Sequence, residues 1–140
     1  MSTTQAILRI EKLIVVQLPM LNEGGATDMG ATATESQLEE RWNLQGILQR
    51  EVCDPLRQGR VDGGDCGGGT MNIFIDYVTG DVEKTVDAII AAMRSTETLR
   101  EGTVIACGPA DGSRPMKVVW PKAAHGNDFM LFGIPDGELN

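Results

Sequence analysis

The feature that most constrains the fold is a glycine-dense run that leads directly into an apolar segment, at residues 59–78 (GRVDGGDCGGGTMNIFIDYV). Glycines let a backbone adopt positive φ angles and approach its neighbours closely. The β-branched and aromatic residues of 72–78 predict a buried strand. We therefore expect a glycine turn, carrying Asp62 and Asp65, at the rim of a sheet.

Length and composition predict one soluble domain. The chain has 140 residues, of which 41% are hydrophobic, enough to form a core. It contains neither an apolar run of the ~20 residues that cross a bilayer nor a recognisable secretory signal. The three cysteines have no metal-ligand spacing, which favours a reducing cytoplasm. We expect a flexible lead-in at 1–9, a single α+β domain at 10–121, and a tail at 122–140 that packs on the domain.

The chain carries a net charge of −8. Such a charge repels phosphate backbones, so we expect no nucleic-acid ligand, and we expect no membrane partner. The charge suits electrostatic steering towards a basic protein, but it also serves solubility alone.

The pattern of hydrophobic and turn residues predicts alternating strands and helices. The strands are expected at 13–18, about 59–64, 72–78, 103–107 and 116–120. A capping box of Thr34 and Gln37 begins the first helix. Its apolar stripe is predicted to contain Leu38, Trp42, Gln45, Ile47, Leu48 and Val52. The second helix begins at Gly80–Asp81, and its stripe is Val82, Val86, Ile89, Ile90 and Met93.

The order of these elements, β-α-β-β-α-β with a C-terminal addition, predicts a ferredoxin-like α+β sandwich. Two helices would cover one face of a four-stranded sheet, with an extra strand or tail at the C-terminus. The strands at 13–18 and 72–78 would be central, because they have the most continuous apolar runs. The strands at 59–64 and 103–107 would be the edges, where weak strand formers are tolerated.

Strand alternation predicts which side chains meet the helices. In the third strand these are Ile73, Ile75 and Tyr77, whereas Asn72, Phe74 and Asp76 would face away. The outer face would also expose Leu13 and Val15, so something must cover it. We expect the tail with Trp120 and residues 129–132 to do so, since cover from the same chain is commoner than cover by a partner.

The glycine run admits three interpretations. Asp62, Asp65 and Asp76 carry oxygens that suit a hard cation, but their spacing matches no calcium loop, and no phosphate-loop lysine follows the glycines. The second interpretation is a hairpin connection with left-handed glycines and aspartates bonded to the local backbone. The third is a partner-contact loop. Its candidate partner-binding residues are Asp62, Gly63, Asp65, Cys66 and Asp76.

Residues for catalysis are few. His125 is the single histidine and falls in a polar loop. Cys66 is the better candidate for a reactive thiol, because backbone N–H groups in a glycine turn stabilise a thiolate. Neither residue has a catalytic neighbour in the sequence, so we expect a protein that is not an enzyme and has no cofactor.

One pattern resembles a known group of proteins. The stretch Gly59-x-Val-Asp-Gly-x-Asp-x-Gly-x-Gly-x-x-Asn-Ile-Phe-Ile75, an amphipathic helix after it, and Val119-Trp-Pro121 resemble small bacterial single-domain proteins, mostly uncharacterised. Some of that group are of the immunity type that accompanies bacterial toxins. The resemblance implies a non-enzymatic cytoplasmic protein that acts by binding another protein. The acidic balance of the chain fits an inhibitor that occludes a basic toxin domain, so the leading hypothesis is an immunity protein that neutralises such a toxin.

Two alternatives stay open beside this hypothesis. The chain also suits a regulatory domain that binds a small ligand and forms a homodimer through its sheet. A small enzyme that uses Cys66 or His125 is the third possibility. In the leading hypothesis the glycine run and the 19–34 loop contact the partner.

Overall fold

The computed structural model describes residues 11–21, 33–67 and 69–129. The chain has an α+β fold in which two helices pack against an antiparallel sheet of five strands. The main elements are β1 (Lys12–Pro19), α1 (Glu35–Leu48), β2 (Arg60–Gly67), β3 (Thr70–Val78), α2 (Val82–Ser95), β4 (Val104–Pro109) and β5 (Lys117–Trp120). Shorter elements are a π-helical turn (Gln49–Cys53) and an α-helical turn (Asp54–Leu56), both continuing α1, and a 3₁₀ turn (Lys122–Ala124).

The start of α1 is the predicted capping box. The side chain of Thr34 accepts a hydrogen bond from the Gln37 N–H at 3.2 Å. In return, Gln37 Oε1 accepts one from the Thr34 N–H at 2.8 Å. Two backbone donors at the helix N-terminus are thereby satisfied, which explains why the helix begins here.

The apolar stripe of α1 is rotated from its predicted position. Leu44, Ile47 and Leu48 are buried, whereas Trp42 is 56% exposed. The prediction that Trp42 faces the core is therefore wrong. Leu44 lies four residues before Leu48, and Val52 lies four after it, so these aliphatic side chains form one continuous row that outweighs the single indole.

The predicted stripe of α2 is confirmed. Asp81 caps the helix by accepting a hydrogen bond from the Lys84 N–H at 3.1 Å. Val86 and Ile89 are buried in the core that the helices share with the sheet. Among the residues described, neither this helix nor any other has the length and apolar composition to cross a bilayer.

The strand order is β2-β3-β1-β4-β5, and every neighbouring pair is antiparallel. β1 and β3 are hydrogen-bonded neighbours, as predicted. The prediction of a four-stranded sheet with β4 at its edge is wrong, because β5 pairs with β4 and takes the edge position. Val118 of β5 lies opposite Ala106 and is buried, so the added strand extends the apolar surface of the sheet.

β2 is longer than predicted. The sequence suggested a strand at about 59–64 and then a long glycine turn, but β2 runs to Gly67 and only a short connection leads to β3. Asp65 and Cys66 are therefore strand residues, paired with β3, rather than turn residues. Pairing with an apolar neighbouring strand outweighs the weak strand preference of the glycines.

A bulge in β3 changes which side chain reaches the core. Ile75 lies opposite Ile14 and Val78 lies opposite Lys12, so β3 has one residue more than β1 in this interval. Tyr77 has φ of 59° and is 49% exposed. The prediction that Tyr77 meets the helices is therefore wrong, and Val78 occupies that core position.

The sheet face turned away from the helices is also buried. Val15 and Ala106, which alternate with core residues, are almost inaccessible to solvent. Trp120, predicted to help cover this face, packs instead against the core on the helix side. The predicted cover by the tail depends on residues 130–140, which lie outside the described residues, as do the lead-in at 1–9 and most of the 19–34 loop.

Candidate functional site

The candidate site is the β2–β3 hairpin, which contains every residue that the sequence analysis selected for partner binding. β2 is the outer strand at one edge of the sheet. It carries Asp62, Gly63, Asp65 and Cys66, and Asp76 lies near the end of β3. An edge strand has backbone groups on its outer side without a ladder partner, so it offers hydrogen bonds to another molecule.

Glycines build a bulge in this edge strand. Between Val61 and Gly64 the pairing of β2 with β3 shifts by one residue. Gly63 has φ of 101° within the bulge, a conformation that other residues adopt only with strain. A Cβ on Gly64 would lie 2.2 Å from the carbonyl oxygen of Asn72. Both positions therefore require glycine, and the extra residue places Asp62 in an irregular part of the ladder.

A chain of side-chain hydrogen bonds crosses the outer face of the sheet. Gln17 Nε2 of β1 donates to Asn72 Oδ1 of β3 at 3.0 Å, and Asn72 Nδ2 donates to Asp65 Oδ1 of β2 at 2.9 Å. Each pair is directly opposite in register. Asn72 and Gln17 are buried, and a buried amide without partners costs about 1–3 kcal/mol. The chain therefore ties the edge strand to the centre of the sheet.

Asp62 and Asp76 form an acidic pair near the base of the hairpin. The pKa of Asp76 is raised above its ordinary value of 3.8, first by burial and then by the neighbouring Asp62 carboxyl group, while the charge of Arg60 opposes the shift. Arg60 Nη2 lies 3.4 Å from Asp62 Oδ1. The Arg60 guanidinium also lies over the Tyr77 ring, 4.9 Å from its centre. One cation thus joins the acidic pair to an exposed aromatic ring.

Cys66 lies on the opposite side of β2, beneath α1. Arg41 Nη1 is 3.9 Å from Cys66 Sγ. Burial raises the pKa of the Cys66 thiol, and the charge of Arg41 only partly offsets this effect. A thiol that stays protonated is a poor nucleophile. The structure therefore separates Cys66 from the three aspartates with which the sequence analysis grouped it.

Side chains of α1 and its continuation protect part of the β2 edge. Gln49 Oε1 accepts a hydrogen bond from the Val61 N–H at 2.9 Å. Gln45 lies one turn earlier, and its Oε1 is buried without a hydrogen-bond partner in the described part of the chain. Trp42 is seven residues before Gln49, or two turns, and thus on the same stripe of the helix. The stripe contacts β2 at Gln49 and is exposed to solvent at Trp42.

Two exposed aromatic residues lie on elements that contact the edge strand, and sequence reasoning missed both. Within the described ranges, Trp42 and Tyr77 are the large hydrophobic side chains that are exposed. Trp42 shares its stripe with Gln49, which contacts β2, and Tyr77 packs on Arg60 of β2. The four-residue repeat from Leu44 was a signal that Trp42 faces outward. No sequence signal marks the bulge that exposes Tyr77.

Other candidates for chemistry stand apart from the hairpin. His125 follows the 3₁₀ turn after β5, and its backbone N–H bonds the Lys122 carbonyl at 3.1 Å. Burial raises the pKa of Cys53 to about 11 and also raises that of Cys107. Across residues 11–21, 33–67 and 69–129, no three His, Cys, Asp or Glu side chains are placed to hold a metal ion. The groups that do converge at the hairpin suit molecular recognition.

Comparisons with known proteins found no matching family model, no matching curated protein and no matching solved structure. Any function of the hairpin must therefore be inferred from its own geometry and charge.

Proposed function

We propose that this chain is a small, acidic, cytoplasmic protein that binds another protein through the outer edge of β2. The observation that carries the proposal is the exposure of Trp42 on α1 and Tyr77 on β3, two elements that contact β2, with 56% and 49% of their surface exposed. Aromatic side chains dominate the binding energy of protein interfaces. Exposed rings beside an edge strand therefore favour a protein partner over a small ligand at this site.

The charge of the chain supports a basic partner. The net charge is −8, and Asp62 of the hairpin keeps 55% of its side chain exposed. Asp76, with its raised pKa, becomes easier to ionise when a cation approaches. Complementary charge accelerates association and fixes orientation, while the buried aromatic contacts set most of the affinity. An immunity protein that occludes a basic toxin surface is the form of this function that the sequence resemblance implies.

Backbone hydrogen bonds from the edge strand would add to the binding of the partner. Gln49 occupies the Val61 N–H, so the glycine-rich part of β2 from 63 to 67 is where an extended partner segment has access. Addition of a strand to a sheet edge is a recurrent mode of peptide recognition. The partner is thus expected to present both cationic side chains and an extended segment.

A ferredoxin-like assignment is part of this proposal. The consecutive strands β2-β3-β1-β4 of the sheet, with a helix after β1 and another after β3, support a split βαβ arrangement. β5 is then an addition beside β4.

The alternative proposal is a regulatory domain that forms a homodimer through its sheet. The same outer edge of β2 favours it, because two copies of an edge strand can pair about a two-fold axis. Sedimentation of the purified chain distinguishes the two proposals. A dimer that dissociates on dilution, and that Trp42→Ser weakens, supports the alternative, whereas a monomer supports a different protein as the partner.

The leading proposal is tested by affinity capture from a lysate of the source organism, followed by kinetics with the protein that is retained. We expect a basic partner that binds the wild type and loses at least about tenfold in affinity with Trp42→Ser/Tyr77→Ser, since two interface anchors are removed. Asp62→Asn should slow association, most strongly at low salt. Asp87→Asn is the matched control, because Asp87 is an exposed carboxylate on α2.

Two results would contradict this proposal. A retained protein that binds the aromatic double variant as tightly as the wild type places the interface elsewhere. Equal association rates for Asp62→Asn and Asp87→Asn would show that the charge of the hairpin does not guide the encounter.

A further inference from the structure

A cavity of about 440 Å³ lies beneath the N-terminus of α2, on the side of the sheet formed by β4 and β5. Its apolar walls include Val82 of α2, Pro109 of β4 and Val119 of β5. This volume falls within the roughly 300–1,000 Å³ typical of small-molecule sites. The strands that line the cavity are β1, β4 and β5, and neither β2 nor β3 contributes to it, so it is separate from the hairpin.

The charged residues that line this cavity are all cationic. They are Lys12, Arg114 and Lys117, in a chain with 20 acidic and only 12 basic residues. Lys117 forms an ion pair with Asp128. Lys12 and Arg114 have no ion-pair partner among the described residues. The cavity therefore combines apolar walls with two cations that form no ion pair within the described ranges.

The remaining groups of the cavity are neutral. Burial raises the pKa of the Cys107 thiol, and the charge of Lys12 opposes that shift, so Cys107 forms part of the apolar wall. Near Arg114, the Asp111 carboxylate accepts a hydrogen bond from the Ser113 N–H at 2.8 Å. Hydrogen bonding by Ser113, and with it the charge of Arg114, lowers the pKa of Asp111. No ion pair joins Asp111 to Arg114 among the described residues.

A second cavity adjoins the first and differs from it in the charge of its lining. It has a volume of about 590 Å³, shares Val82 and Val119 with the first cavity, and is lined by Trp120. Two carboxylates, Glu83 and Asp87, line it together with one cation, Lys122, and His125. An apolar chain that extends from the first cavity finds more apolar surface there, and the two carboxylates outnumber the cation and so disfavour an anionic group at that end.

We propose that this pair of cavities binds a small organic anion with an apolar body, such as a medium-chain carboxylate. Its carboxylate lies between Lys12 and Arg114, and its hydrocarbon chain lies against Val82 and Val119. Charge-assisted hydrogen bonds from the two cations set its orientation, and burial of each CH₂ group of the chain adds to the affinity. This site is independent of the protein-binding function proposed for β2.

The test uses octanoate as the probe, with octanol and octylamine as the uncharged and cationic counterparts. Binding to the full chain is followed by calorimetry and by amide chemical shifts. We expect octanoate to bind at least about tenfold more tightly than octanol, because the charged head meets two cations. Lys12→Gln/Arg114→Gln should remove this preference and leave octanol binding unchanged, whereas Lys84→Gln, on the exposed side of α2, should change neither.

Asp128→Asn provides a second readout in the opposite direction. It releases Lys117 from its ion pair, so octanoate should bind several-fold more tightly to this variant, an effect that a purely structural role of Asp128 would not produce. Octanol binding as tightly as octanoate, or an unchanged octanoate affinity in Lys12→Gln/Arg114→Gln, overturns the proposal. Binding to phosphatidylglycerol vesicles without binding to free octanoate overturns it as well, and assigns the cations to a lipid surface.

Discussion

The side chain of Gln17 donates a hydrogen bond to Asn72 at 3.0 Å across the middle of the sheet, and both residues are buried. A slip of one residue in either strand would turn one of these amides into the apolar core and leave the other without this partner. Asn72 in turn donates a hydrogen bond to Asp65 of the edge strand. The register of β2, which positions the candidate interface, therefore depends on a polar contact in the centre of the sheet.

Replacing Asn72 by leucine should test this dependence. Asn72→Leu leaves the buried Gln17 amide without that hydrogen bond and removes the bond to Asp65, so we expect the free energy of unfolding to fall by about 2–3 kcal/mol. Gln17→Leu/Asn72→Leu should be less destabilised than the sum of the two single variants, because both single variants break the same hydrogen bond. Urea denaturation measures all three variants, and an additive double variant would contradict the proposed coupling.

Gly64 should tolerate a methyl group far less well than Gly112. A Cβ at Gly64 would lie 2.2 Å from the carbonyl oxygen of Asn72, whereas one at Gly112 meets nothing within 4 Å. Gly112 has φ of 72°, so Gly112→Ala costs only the left-handed strain of about 1–2 kcal/mol. Gly64→Ala must push β2 away from β3, and we expect a loss of more than about 3 kcal/mol. Similar midpoints for the two variants in thermal unfolding would show that β2 can move away from β3 at little energetic cost.

The parts of the fold that the sequence predicted are those set by local interactions. The capping box of Thr34 and Gln37 involves residues three positions apart, and Asp81 caps α2 over the same distance. The apolar stripe of α2 is continuous and lies on one side of the helix, so the sequence alone identifies the face that packs on the core. Adjacency of β1 and β3 followed from their long apolar runs, which require neighbours on both sides.

The parts that were missed depend on long-range packing. The exposure of Trp42 was decided by competition between two faces of α1, of which the four-residue repeat from Leu44 marks the buried one. Exposure of Tyr77 results from a bulge whose extra residue is visible only once β1 is paired with β3. The glycine run was predicted as a turn because its residues are weak strand formers, but pairing with β3 keeps Asp65 and Cys66 in a strand. Proximity of Arg60 to Tyr77 depends on this pairing too.

Stability should depend on the charge of Asp76. Because its pKa in the folded protein is raised above 3.8, the folded chain binds this proton more tightly than the unfolded chain does. Stability is therefore lost as the pH rises from 3.8 through the raised pKa. Asp76→Asn should raise the melting temperature at about pH 7 and give no gain at about pH 3, whereas Asp87→Asn should have little effect at either pH. A lower melting temperature for Asp76→Asn at pH 7 would contradict this assignment.

Gln49 should protect the edge of β2. Gln49→Ala leaves the Val61 N–H without its acceptor, so we expect a loss of about 1 kcal/mol in urea denaturation. The exposed backbone should also promote pairing between copies, because unprotected edges associate, and sedimentation velocity would detect this at high concentration. Glu51→Ala, an exposed neighbour in the same π-helical turn, is the control. A variant that is both stable and monomeric would show that the Gln49 contact is incidental.

Trp42 and Leu44, two residues apart on α1, should respond oppositely to truncation. Leu44 is 1% exposed, and Leu44→Ala removes buried surface and leaves a cavity, so we expect a loss of about 2–5 kcal/mol. Trp42→Ser removes a side chain that is 56% exposed, and the free energy of unfolding should stay within about 0.5 kcal/mol of the wild type. Urea denaturation of both variants checks the orientation of the helix. If Trp42→Ser proved as destabilising as Leu44→Ala, the indole would belong to the core, and its proposed role as an anchor for a partner would fall.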